Sequence, residues 1–94
     1  MRFKLLRLCE SKSFTAVPQE SVRVDLEKAA ELLKSLGFQV EDQGVMLIAR
    51  AKGKEYTLYP NGRLMLQPAS DKEEAKNMAS RFYASLESII GHRT

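Results

Sequence analysis

The sequence predicts an α+β protein: two layers, an antiparallel sheet of about five strands and two helices on one of its faces, in the order β-α-β-β-β-β-α. Three observations predict it. Two segments carry apolar residues at helical spacing between recognisable ends. Between them, four short segments alternate as strands do, punctuated by glycine turns. Amphipathic helices must bury their stripes, and one face of the sheet is the surface this order offers them. With 94 residues, 44% hydrophobic and 29% charged, the chain supports one core and reads as a single domain over residues 1–94.

Taken in order, RFKLLRLC (2–9) is the first strand, and SKSFTAVPQESV (11–22) is a loop or strand extension broken by polar residues and Pro18. VDLEKAAELLKSLG (24–37) is the first helix. Asp25 can cap its free N–H groups, Leu26, Ala29, Ala30, Leu33 and Leu36 form its apolar stripe, and Gly37 supplies a left-handed stop. FQVED, VMLIARA, EYTLY and RLMLQ follow as strands, with turns at Gln43-Gly44, Lys52-Gly53-Lys54 and Pro60-Asn61-Gly62. In SDKEEA, Ser70 and Glu73 have capping-box spacing. Ala75, Met78, Ala79, Phe82, Leu86 and Ile89 are the buried stripe of the second helix, which Gly91 is expected to end.

The stretch LYPNGRL fixes one register. Pro60 and Asn61 suit a type I turn and Gly62 the left-handed residue after it, a three-residue loop. It pairs Tyr59 with Arg63, Leu58 with Leu64, Thr57 with Met65 and Tyr56 with Leu66. Alternation then turns Tyr56, Leu58, Leu64 and Leu66 to the helices and Thr57, Tyr59, Arg63, Met65 and Gln67 away from them. Val45, Leu47 and Ala49 are expected to join the core, leaving Met46, Ile48 and Arg50 on the open face. That face is half apolar and half basic, more apolar than a face without a partner needs to be.

The net charge of +3 is unevenly spread. Arg2, Lys4, Arg7 and Lys12 stand against Glu10 alone, and Arg50, Lys52, Lys54 and Arg63 against Glu55 alone. Residues 13–42 are acidic, so the basic excess lies on the strands, a property that bears on partners rather than on fold. A single cysteine, Cys9, precludes an intramolecular disulfide, and its expected role is that of a small buried hydrophobe. The apolar run near the start is broken by Arg7 and lacks a signal-cleavage pattern. No stretch reaches the ~18 apolar residues of a membrane span. The chain is therefore expected to be cytoplasmic, with no membrane partner.

Little supports catalysis. His92 is the one histidine and is expected near a frayed end, so a histidine-based triad or metal site lacks ligands. Glu41-Asp42 flank a turn, and Glu73-Glu74 lie in a helix's first turn, where the dipole favours them. No dinucleotide or phosphate-loop fingerprint occurs. The expectation is a non-enzyme without cofactor or metal.

The run from Val45 to Leu86, VMLIARAKGKEYTLYPNGRLMLQPASDKEEAKNMASRFYASL, resembles one repeat of the TATA-binding protein. It has an apolar strand, a short turn, a strand ending in an aromatic, a turn with glycine then a base, an apolar strand, and a helix opened by serine and acidic residues. VDLEKAAELL is similar to the family's first helix. The resemblance implies a curved antiparallel sheet with helices on its convex side and a concave face that enters the DNA minor groove, wedging aromatics between base steps. On that basis Tyr59 takes the place of a wedge, and Thr57, Met65 and Gln67 those of groove-lining residues. Only one repeat is present, and where a second wedge is expected stand Asp42, Gln43 and Gly44, so strong kinking of DNA is not expected. Single domains of this kind also accompany nucleases and DNA glycosylases, serving in substrate binding or as structural modules.

The expected function is a binding module that engages duplex DNA or an RNA–DNA hybrid through the open face. Arg2, Lys4, Arg50, Lys52, Lys54 and Arg63 would neutralise phosphates, while Thr57, Tyr59, Met65 and Gln67 line the groove or stack. The alternative is a protein-interaction or self-association module, including a homodimer, using the same face.

Overall fold

Asp25 begins α1 (Leu26–Ser35) as its sequence predicts, accepting hydrogen bonds from the backbone N–H groups of Glu27 (3.0 Å) and Lys28 (3.2 Å) in the computed structural model. That structure describes residues 2–7 and 12–92. At the other end of α1, Gly37 is left-handed (φ 96°). The Phe38 and Gly37 amides donate to the carbonyls of Leu33 (3.0 Å) and Lys34 (3.1 Å), closing a Schellman motif. The second helix, α2 (Lys72–Ser85), is capped one residue later than expected. Asp71, not Ser70, accepts from the Glu74 amide (2.8 Å), and the Glu74 carboxylate reaches back to the Ser70 N–H (3.0 Å).

The architecture is α+β in two layers, with a six-stranded antiparallel sheet in the order β1-β2-β7-β6-β5-β4. Its strands are β1 (Phe3–Arg7), β2 (Phe14–Pro18), β4 (Gln39–Asp42), β5 (Leu47–Ala51), β6 (Lys54–Leu58) and β7 (Leu64–Gln67). The short strands β3 (Val22–Val24) and β8 (Ile90–His92) pair separately. One buried cluster joins Ala29, Ala30 and Leu33 of α1, Ala75, Met78, Ala79, Phe82 and Tyr83 of α2, and alternate residues of the sheet: Phe14, Ala16, Leu47, Ala49, Leu58, Leu64 and Leu66. Both helices therefore cover the same sheet face. Phe82 stacks on Tyr56 (ring centroids 4.6 Å apart, 15° between planes), and Phe38 meets both edge-on. Burial pushes the Tyr56 hydroxyl pKa up, opposed by the nearby Arg81 charge.

The β6–β7 hairpin has the predicted register in every pair. Tyr59 and Gly62 amides donate to Arg63 and Tyr59 carbonyls, each at 2.9 Å, and Gly62 has φ 88°. The tip is also held from outside. The buried Tyr83 hydroxyl donates to the Gly62 carbonyl (2.7 Å), the Val24 amide donates to the Pro60 carbonyl (2.8 Å), and a Cβ built on Gly62 would lie 2.3 Å from Val22 Cγ2.

Several expectations are corrected. Phe14–Pro18, expected as a loop or an extension of the first strand, is a separate strand in the interior of the sheet. Leu36 is 53% exposed because the helix has already ended and its backbone no longer follows the stripe. Val45 is 69% exposed: the Gln43 amide donates to the Met46 carbonyl, closing a turn that places Val45 before strand alternation begins. Gly91 does not stop α2, which ends at Ser85; a 3₁₀ turn (Glu87–Ile89) leads instead into β8, where Gly91 and His92 pair with Arg23 and Val22. Leu8 and Cys9, read as the end of the first strand, lie outside the described residues.

Candidate nucleic-acid interface

The sheet face opposite the helices is built in rows, because paired residues in an antiparallel sheet point the same way. The register aligns Glu41, Ile48, Thr57, Met65, Thr15 and Leu6 in one row across all six strands. The next row toward the hairpin tip holds Tyr59, Arg63, Val17 and Lys4, continuing the same ladders. On the other side lie Gln39, Arg50, Glu55 and Gln67. The central row is thus mostly apolar or β-branched, with Glu41 its one charged member, at the β4 end.

Thr57, Tyr59, Arg63, Met65, Gln67 and Arg50 all lie on this face, as alternation predicts. The structure brings most of them together. Thr15, Tyr59, Asn61, Arg63 and Met65 line a concavity of about 310 Å³. Thr57, Met65 and Gln67, with Glu55, line a smaller one of about 70 Å³. The Tyr59 hydroxyl lies 3.9 Å from Met65 Sδ, so the ring leans from its own row toward the apolar one. Gln67 accepts a hydrogen bond from the Ser13 hydroxyl (2.6 Å).

The basic residues divide. Arg63 is exposed on the face, and Lys4, with Arg2 beyond it, lies toward the β1 edge. The Arg50 guanidinium is 3.5 Å from the Glu55 carboxylate, its cross-strand partner, so part of its charge is already met. Lys52 occupies the tip of the β5–β6 hairpin in a left-handed conformation (φ 52°), at the rim of the face. Lys54 turns away altogether. It shares the parity of Tyr56 and Leu58, and its ammonium lies 2.9 Å from the Pro68 carbonyl and 3.7 Å from Glu74 of α2. A turn shorter than Lys52-Gly53-Lys54 is the reason: Lys54 already pairs with Ala51 and belongs to the strand.

Sequence reasoning missed Thr15 and Leu6. Thr15 is only 6% exposed although it lies on the open face, because its row neighbours Leu6 and Met65 flank it on the two adjoining strands. The β-branched and aromatic content of FTAV was the available signal. Among the described residues, no three histidine, cysteine or carboxylate side chains gather as metal ligands, and no helix is long and apolar enough to cross a membrane. Comparison with protein-family models, curated proteins and solved structures finds no match to this chain.

Proposed function

We propose that the protein is a non-enzymatic binding module whose open sheet face engages nucleic acid, duplex DNA or an RNA–DNA hybrid, in the manner of a single TATA-binding-protein-like repeat. One observation carries this reading: a row of Ile48, Thr57, Met65, Thr15 and Leu6, apolar or β-branched, beside a row holding Tyr59, Arg63 and Lys4. The apolar row suits contact with sugar edges and base planes, and the cations beside it suit phosphates. Tyr59 contacts bases and Arg63 a phosphate. Arg50 contributes less, because contact with a phosphate must compete with Glu55.

Fluorescence-anisotropy titration against a duplex and a hybrid at two salt concentrations tests the reading. Base–aromatic stacking contributes about 1–3 kcal/mol per base, so Tyr59→Ala weakens binding about tenfold or more and leaves the salt slope unchanged. Wild-type protein that binds neither probe at low salt overturns the proposal. Leu6, 42% exposed at the sheet's edge strand, favours a second reading, docking of a protein or a second copy on the same face. That association would depend weakly on salt, whereas duplex binding falls with a log–log slope of about −0.9 per phosphate neutralised.

A further inference from the structure

We propose that the outer edge of β1 accepts an extended acidic peptide as an added strand, seated between that edge and α2 and held by Lys72 and Lys76. The ladder sets which backbone groups face outward. The Gln19 amide donates to the Arg2 carbonyl (3.0 Å), and Phe3 pairs with Pro18. In an antiparallel ladder the bonded and non-bonded pairs alternate. Arg2, Lys4 and Leu6 therefore direct their backbone groups to β2, while the N–H and C=O of Phe3 and Leu5 point off the sheet. β1 ends the strand order, so no described strand meets them.

A groove of about 550 Å³ runs along this edge, lined by Arg2, Phe3, Lys4, Leu5, Lys72 and Lys76 among others. None of its four cations forms an ion pair with a described residue; the carboxylate pairs that do form involve Arg50 and Lys54. Phe3 and Leu5 lie half-buried between the cations, and Phe3 is fixed against Tyr83 (ring centroids 5.3 Å). Lys72 and Lys76 are one helical turn apart, about 6 Å along the axis. Alternate side chains of an extended chain are separated by about 6.8 Å. A peptide with carboxylates at every second position can meet both lysines on the α2 side, where Phe3 and Leu5 also lie, and its intervening residues turn to the open face beside Lys4 and Leu6. The two outward N–H donors are matched by two outward carbonyl acceptors. A peptide backbone satisfies both kinds, as strands added to sheet edges do, whereas a phosphodiester chain has no backbone N–H to offer the carbonyls. The chemistry thus selects peptide over nucleic acid at this edge, which shares Arg2 and Lys4 with the open face but rests on the outward backbone groups of Phe3 and Leu5.

The test uses the whole chain and a fluorescein-labelled peptide of about eight alternating glutamate and valine residues. Binding is measured by anisotropy, with amide exchange followed at Phe3 and Leu5. The expected result is saturable binding with new protection at those two amides. The double variant Lys72→Glu, Lys76→Glu, which alters exposed helix positions, weakens it about tenfold or more. Methylating alternate backbone nitrogens of the peptide, which leaves the protein untouched, abolishes it in one of the two phases. Binding that tolerates methylation in both phases, or a single-stranded oligonucleotide that displaces the peptide and protects the same amides, overturns the added strand. No binding at millimolar peptide in low salt also overturns it, and leaves the four cations as a guard against edge-to-edge aggregation.

Discussion

Replacing Gly62 with alanine probes the contact that seats the hairpin tip carrying Tyr59 and Arg63. Two costs arise. The left-handed backbone (φ 88°) strains any L side chain, by about 1–2 kcal/mol. The new methyl would also lie 2.3 Å from Val22 Cγ2 and 3.0 Å from Pro18 Cγ, both buried or half-buried, and overpacking of this kind costs about 1–3 kcal/mol. Gly53→Ala is the control: its φ is 76°, but nothing lies within 4 Å of its Cβ. The entropy alanine removes from the unfolded chain is common to both and cancels. Gly62→Ala should therefore be less stable than Gly53→Ala by about 1–3 kcal/mol. At a urea m-value of about 1–3 kcal/mol/M, this separates the midpoints by roughly 1 M. Val22→Ala removes the clashing atom, so in a double-mutant cycle it should couple favourably with Gly62→Ala, by about 0.5–3 kcal/mol. Equal costs at the two glycines, with no coupling to Val22, would refute the close approach.

Leu64→Ala, fully buried in the core, should cost about 2–5 kcal/mol by denaturant melts, whereas Leu36→Ala, at 53% exposure, should cost under about 0.5 kcal/mol. Arg63→Ala should reduce the salt slope of duplex binding by about one phosphate's worth and Arg50→Ala by less, since Glu55 already meets that charge; equal reductions would contradict the difference drawn between them. Burial raises the Tyr83 pKa above its ordinary value of 10.0, so the folded protein holds the phenolic proton more tightly than the unfolded chain. That contribution is complete below about pH 10 and is lost as pH rises through the folded pKa. Tyr83→Phe should cost about 1–3 kcal/mol near neutrality, from the unpaired Gly62 carbonyl, and should flatten the alkaline fall in stability measured by thermal melts.

The helices and the β6–β7 hairpin were legible because their signals are local: a capping side chain, a glycine in a left-handed turn, a repeat of fixed period. The open face followed from that one register, which is why Thr57, Tyr59, Arg63, Met65 and Gln67 were placed correctly. What escaped depends on partners distant in sequence. Phe14, Thr15 and Ala16 are all buried, so β2 has no polar side to alternate with, and Pro18 resembled a breaker. Pro18 is tolerated because it lies past the last β2–β7 pair, Ala16 with Leu64. β3 and β8 are three residues each and exist through each other. Lys54 was misplaced by counting it into a turn that is one residue shorter.

The position of β2 implies an order of assembly. Strands β4 to β7 are sequence neighbours joined by short turns, so each pairing closes only a small loop. The seam between β2 and β7, and the pairing of β3 with β8, join segments far apart in the sequence. Contacts of that separation form late in folding. The meander with α1 is thus expected to assemble first, and the β1–β2 hairpin to dock onto a sheet already made. In native-state hydrogen exchange the hairpin should then open as one cooperative unit at lower free energy than β5 to β7. Such an opening would bare the β7 edge and Met65 together, so the surface offered to a partner depends on the seam expected to close last.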